Sequence, residues 1–126
     1  MATHQHVLVV EDDPVLRAIE YQVLRKMGLE VVTLDCVEKA VRLLDECSFD
    51  LLITDIHLGA GRNGIDLVRF ARDQGLRLKI LVVSGSLQER RARSLEALAD
   101  GLLDKPFSVG ELQAHVQHVL DMETAC

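Results

Sequence analysis

The sequence predicts an α/β protein, a doubly wound (βα)5 sandwich in which helices cover both faces of a five-stranded parallel sheet. Three observations lead there. Five short apolar runs recur along the chain: His6-Val-Leu-Val-Val10, Glu30-Val-Val-Thr-Leu34, Asp50-Leu-Leu-Ile-Thr54, Lys79-Ile-Leu-Val-Val83 and Gly101-Leu-Leu-Asp104. They are rich in Val, Ile and Leu and too short for helices, as expected of strands buried on both faces. The segments between them have helical spacing of apolar residues, and several of those segments start with a capping signal. Strict alternation of strand and helix implies right-handed crossovers and a parallel sheet.

The elements follow in order. The first strand runs into Glu11-Asp12-Asp13, where Asp13 suits a helix cap and Pro14 the first helical position, its missing N–H being unneeded there. Val15, Ile19, Val23 and Leu24 give this helix an inward stripe, and Met27-Gly28 ends it, glycine being favoured just past a helix terminus. After the second strand a helix begins near 37 with Val37, Val41 and Leu44 inward. The third strand ends in Asp55. The loop that follows, with glycines at 59, 61 and 64, leads to Asn63 as the cap of a helix beginning near 64, whose apolar residues are Ile65, Val68, Phe70 and Ala71. Ser84 follows the fourth strand, and Ser86-Leu-Gln-Glu89 matches a capping box for a helix from about 87. The fifth strand meets Lys105-Pro106, where the proline holds the lysine backbone extended. Ser108-Val-Gly-Glu111 is a second capping box and opens the last helix near 108.

A chain of 126 residues is the size of one ordinary domain. With no linker or repeat, 1–126 is expected to be a single domain. Hydrophobic residues make up 48% of it, which argues against disorder. The apolar runs fall far short of the ~20 residues needed to span a bilayer, and the N-terminus lacks a secretory pattern. The expected location is cytoplasmic, with no membrane partner. A formal charge of -6 argues against binding along a phosphate backbone, and the one basic cluster, Arg90-Arg91-Ala-Arg93, reads as a solvated helix face. Cys36, Cys47 and Cys126 show neither disulfide nor metal-ligand spacing and read as free thiols.

In this fold class the common strand order is 2-1-3-4-5, the flavodoxin-like arrangement, and ligands bind outside the carboxyl ends of the strands. That edge collects Glu11, Asp12 and Asp13 after strand 1, Asp55 at the end of strand 3, Ser84 after strand 4 and Lys105 after strand 5. Asp35, after the rim strand, reads as a loop or helix-cap aspartate. Several carboxylates in one crevice repel unless a cation sits among them, and hard oxygen donors without His or Cys favour Mg²⁺. Lys105 can balance the carboxylates and grip a phosphoryl oxygen, and Ser84 can donate to the same group. Asp55 is then a candidate nucleophile that accepts a phosphoryl group.

Val-Leu-Val-Val-Glu11-Asp12-Asp13-Pro-Val-Leu-Arg, Leu-Leu-Ile-Thr-Asp55-Ile-His-Leu, Leu-Val-Val-Ser84-Gly-Ser and Asp-Lys105-Pro-Phe together resemble the receiver domain of two-component response regulators. The resemblance covers essentially the whole chain. It implies phosphotransfer from a histidine kinase or histidine phosphotransfer protein to Asp55, with the chain catalysing its own phosphorylation and dephosphorylation. It also implies Mg²⁺ held by Asp12, Asp55 and the backbone carbonyl of His57, with Glu11 acting through water. Ser84 and Lys105 match the hydroxyl and lysine that meet the phosphoryl group, and His57 and Ser86 fall where side chains tune its lifetime. Two departures stand out. The loop after Asp55 lacks the usual proline and is one residue longer, and Leu102 stands where an aromatic commonly reports phosphorylation, so output must use another two-state element.

The resemblance further implies a downstream protein target, or a homodimer, on the face of helix 4, strand 5 and helix 5, roughly residues 87–120. Were these residues the whole protein, partner binding or phosphoryl relay would be the output; a receiver excised from a larger chain is the alternative. Other readings fit less well. A flavodoxin-type cofactor binder would not place Glu11-Asp12-Asp13 where a phosphate sits. An aspartyl-nucleophile phosphohydrolase needs a general acid, and His57 has no visible orienting carboxylate. The remaining rival is a degenerate receiver acting as a phosphorylation-independent interaction module.

Overall fold

Successive side chains of a strand point to opposite faces, so each β run divides its apolar residues between two helix layers. The computed structural model describes residues 5–58, 63–85 and 95–122. In β1 (His6–Val10), Leu8 and Val10 enter one core while Val7 and Val9 enter the other. The remaining strands are β2 (Glu30–Leu34), β3 (Leu51–Asp55), β4 (Lys79–Ser84) and β5 (Gly101–Asp104), all parallel in the order β2-β1-β3-β4-β5. Between them lie α1 (Pro14–Lys26), α2 (Val37–Glu46), α3 (Gly64–Asp73) and a four-residue helical segment α4 (Leu95–Leu98), and α5 (Val109–Asp121) follows β5.

Residues of α2 and α3 such as Ala40, Leu44, Leu67 and Val68 pack with Leu8, Leu52 and Ile80. On the opposite face Val23 and Leu24 of α1 and Leu112 and Val116 of α5 pack with Val7, Val9 and Ile53. The central strand β3 is buried along its full length, whereas β2 at the rim is only half-buried with Val32 exposed. Buried on both faces therefore holds for the centre of the sheet and not for its edges, where each strand has one neighbour.

Helix starts follow the local signals. Asp13 Oδ1 accepts from the backbone N–H of Val15 (2.9 Å) and Leu16 (3.4 Å), capping α1 ahead of Pro14. Asn63 with Asp66 and Ser108 with Glu111 form reciprocal capping boxes on α3 and α5. Gly28 follows α1 with φ +87°, in the left-handed region that closes helices. The expected start near 87 and the Ser86-Glu89 box lie outside the described residues.

Asp55 is the last residue of β3, as expected, but the strand starts at Leu51, and Asp50, which opened the apolar run, accepts from the backbone N–H of His6 at 2.8 Å. The inward stripe of α1 is Glu20, Val23 and Leu24, while Val15 and Ile19 are 68% and 44% exposed. At 100° per residue, positions 15 and 19 fall to one side of a stripe centred between 20, 23 and 24, so helical spacing placed Val23 and Leu24 inward correctly and misplaced Val15 and Ile19. Of the two readings of Asp35, loop or helix cap, the loop one holds: the cap position of α2 is Cys36, without a side-chain cap bond, and Asp35 pairs with Lys39 at 3.0 Å.

Candidate active site

Parallel pairing of β3 between β1 and β4 sets the carboxyl ends of three strands side by side. Val10 is in register with Thr54, so Glu11 and Asp12 leave β1 where Asp55 ends β3. Carboxylate oxygens of Glu11, Asp12 and Asp55 all lie within 4.8 Å of one another. Exposure grades across the cluster: Asp12 is open to solvent, Asp55 is 6% exposed and Glu11 only 1%. Glu11 Oε1 is buried and faces the Lys105 ammonium at 3.2 Å, and Glu11 Oε2 accepts weakly from the Asp13 backbone N–H at 3.2 Å.

Lys105 enters from the β5 side. Ser84 and Asp104 are register partners, and the Lys105 backbone N–H donates to the Ser84 carbonyl at 3.0 Å, extending the ladder one step. The Lys105–Pro106 peptide is cis. From there the lysine Nζ donates to Asp55 Oδ2 at 2.5 Å and lies 3.2 Å from Glu11 Oε1. Ser84 itself is 1% exposed at the end of β4, one residue beyond the partner of Asp55.

The loop after β3 starts at Ile56, whose buried side chain anchors it, and the exposed His57 donates its backbone N–H to Asp55 Oδ1 at 3.3 Å. The Gly64 N–H donates to the Ile56 carbonyl at 2.8 Å, which brings the start of α3 against the end of β3. A Cβ on Gly64 would collide with the Asp55 carbonyl oxygen. Glycine is required here by close approach, whereas Gly59 and Gly61 lie outside the described residues, as does Ser86.

The charges respond to this packing. Burial raises Glu11 above the usual carboxylate range and the charge of Asp55 adds to it; the Asp13 N–H and Lys105 oppose. For Lys105 burial pulls downward, but the hydrogen bond to Asp55 and the charges of Asp55 and Glu11 outweigh it and hold the ammonium above an ordinary lysine. Two groups were missed in the sequence. Arg17 Nη1 donates to the Glu11 carbonyl at 2.9 Å, tying α1 to the loop. Glu20 is 1% exposed on the inward stripe of α1, near enough to feel the charges of Glu11, Lys105 and Asp55, and the signal that could have found it is a carboxylate three and four residues before Val23 and Leu24.

Asp35 stays apart from the cluster in its pair with Lys39. Leu102 is half-buried and packs with the α2–α3 core. Among the described residues the cluster offers three carboxylates as hard anionic oxygens, graded from buried Glu11 to open Asp12, and no sulfur or imidazole donor, which fits Mg²⁺. Such an arrangement can also stabilise charge on an entering phosphoryl group.

Residues 7–117 match the sequence model of the response regulator receiver domain. The chain is 38% identical over 95% of its length to a probable transcriptional regulatory protein of Picosynechococcus sp., and covers 51% of that protein. To the two-component response regulator PhoP of Pseudomonas aeruginosa it is 35% identical over 90% of its length, again covering 51%. The chain thus spans about half the length of these curated relatives. Among solved structures, the receiver domain of sensor histidine kinase PA1611 from Pseudomonas aeruginosa carries a magnesium ion in its active-site cleft. It superposes with a TM-score of 0.85 at 29% identity, over 95% of this chain and 100% of that one. Response regulator TrrA from Thermotoga maritima, in complex with Mg(2+)-BeF, superposes with 0.82 at 26% identity, over 91% and 98%.

Proposed function

The chain belongs to the response regulator receiver domain family, and from that premise we propose that Asp55 accepts a phosphoryl group from a histidine kinase or histidine phosphotransfer protein. One observation carries the proposal: a 6% exposed aspartate ends the central strand within 4.8 Å of two other carboxylates and is hydrogen-bonded to Lys105. An Asp55 oxygen attacks phosphorus, the phosphorus–nitrogen bond of the donor phosphohistidine breaks, and an acyl phosphate forms. Lys105 then moves its hydrogen bond to a phosphoryl oxygen, and Ser84 donates its hydroxyl to the same group. Asp12, Asp55 and the backbone carbonyl of His57 would hold Mg²⁺, with Glu11 acting through water, and the ion supplies charge neutralisation for the phosphoryl group. Attack of water on phosphorus later breaks its bond to the Asp55 oxygen, releasing inorganic phosphate and restoring the carboxylate, with His57 and Ser86 tuning the lifetime, so the chain promotes its own phosphorylation and dephosphorylation.

The donor docks on α1 beside the crevice. Exposed Val15 and Ile19 line a groove of about 430 Å³ there with Lys105, Pro106 and Phe107, which supports an apolar contact next to the reacting group. Output passes to a protein target, or to a second copy, through the α4–β5–α5 face, and the Arg90-Arg91-Arg93 cluster that would extend this face lies outside the described residues. Residues 1–126 act as one receiver domain in the cytoplasm, and among the described residues no helix is long and apolar enough to cross a membrane.

The test is intact mass after incubation with Mg²⁺ and acetyl phosphate. One phosphoryl group, about 80 Da, is expected on the wild type and not on Asp55→Asn. No gain, together with no binding of beryllofluoride, would make the chain a degenerate interaction module. Repeated turnover of small phosphate monoesters would make it a phosphohydrolase.

A further inference from the structure

Glu20 is a carboxyl that the proposed chemistry leaves unused. It lies in the second turn of α1, is 1% exposed, and its Oε1 is buried without a hydrogen-bond partner. The core of this face is otherwise apolar: Val23 and Leu24 on its own helix, Val7 and Val9 on β1, Leu112 and Val116 on α5. Four charged groups act on it: Glu11 from the end of β1 most strongly, then Lys105 from beyond β5, Asp55 from β3 and Asp13 from the cap of α1. These are three acids against one base. Glu11 acts through space, without a hydrogen bond to Glu20.

An unpaired carboxylate in such a place is costly, and a leucine would complete the helix stripe at no electrostatic cost. Burial first, and the charge of Glu11 second, push the Glu20 pKa up to about 8. We propose that Glu20 is a proton-binding regulatory site of the crevice, whose loss of a proton adds a further negative charge near the cation-binding acids. While it holds the proton, the three cluster carboxylates are balanced by Lys105, with Arg17 at the Glu11 carbonyl. When it releases the proton to solvent, the crevice attracts a divalent cation more strongly. By reciprocity, cation binding expels the proton. This inference rests on the proposed use of the acidic cluster as a cation site.

Mg²⁺ binding to the whole chain, followed by calorimetry at pH 6.5, 7.5 and 9 in buffers of different ionisation enthalpy, tests it against Glu20→Gln and Glu20→Leu. In the wild type, affinity is expected to rise between pH 6.5 and 9 by about fivefold or more beyond any rise in the variants, with proton release on binding that the variants lack. Carbon NMR of the metal-free protein reads the same group directly, with the Glu20 carboxyl titrating well above the other glutamates. Equal pH profiles in all three proteins, or a Glu20 carboxyl already ionised at pH 6, would overturn the assignment while leaving the cation site intact. Failure of Mg²⁺ to bind the wild type at every pH would overturn the cation site and this inference with it.

Discussion

The Lys105 ammonium donates a 2.5 Å hydrogen bond to Oδ2 of Asp55 across a separation of 50 residues and lies 3.2 Å from Oε1 of Glu11. One cation therefore compensates two buried acids, Glu11 just after β1 and Asp55 at the end of β3. On the proposed phosphorylation of Asp55 this pairing must rearrange, which would make the lysine the first group to register the new charge.

Replacing Lys105 removes the compensation and the grip on the phosphoryl oxygen together. Lys105→Met is expected to slow phosphorylation by acetyl phosphate about 100-fold, the scale of losing one charge-stabilising donor at a reaction centre. Lys105→Arg, larger and planar, should restore only part of the rate. Time courses of intact mass read both.

Glu20 makes stability depend on pH with a definite sign. Its folded pKa of about 8 lies above the usual 4.5, so between those values the folded protein keeps a proton that the unfolded chain has lost. Stability contributed by this group therefore falls as pH rises from about 4.5 to about 8 and then levels off, by at most ~5 kcal/mol. Urea unfolding followed by circular dichroism should show Glu20→Leu losing this decline and exceeding the wild type most at pH 8–9.

Gly64→Ala places a Cβ against the Asp55 carbonyl oxygen, so α3 must retreat from the end of β3. A loss of about 3 kcal/mol is expected in thermal melts, at the upper end of overpacking costs. A Cβ on Gly28 meets nothing within 4 Å, and that glycine only provides φ +87°, so Gly28→Ala should cost about 1 kcal/mol.

Arg72 joins three segments: Nε donates to the Leu98 carbonyl (2.8 Å), Nη1 to the Leu78 carbonyl (3.1 Å) and Nη2 to Asp100 (2.9 Å). The ion pair is 28% and 21% exposed, so most of the loss in Arg72→Ala should come from the abandoned carbonyls rather than from charge. About 2 kcal/mol in urea unfolding is expected, with Arg72→Lys recovering part of it.

Val15→Ser with Ile19→Ser alters side chains that are largely outside the core and should leave stability and acetyl phosphate labelling unchanged. Transfer from a phosphorylated histidine donor should fall about tenfold, the loss of roughly 1.4 kcal/mol of apolar contact at the groove. Equal transfer rates in the variant and the wild type would move the donor contact elsewhere.

The strands, most helix starts and the parallel order were legible in the sequence because their causes are local: runs of Val, Ile and Leu, Pro14 behind Asp13, and Asn63 and Ser108 with their reciprocal acids. Glu11, Asp12, Asp55 and Lys105 could likewise be placed at one edge, since a parallel sheet gathers the carboxyl ends of its strands whatever the detailed packing. The inward face of α1 could not be read the same way. Val15, Ile19, Val23 and Leu24 share a periodicity, but the helix's rotation depends on α5 and the sheet beneath it, and that rotation exposed Val15 and buried Glu20. The need for glycine at 64 likewise comes from how closely α3 approaches Asp55, and the Arg72 bridge from segments as far as 28 residues apart. Pattern and spacing determined the elements and the chemistry they carry to the sheet edge. Which carboxyls lose water there, and which cation answers them, was decided only when non-local packing removed the solvent.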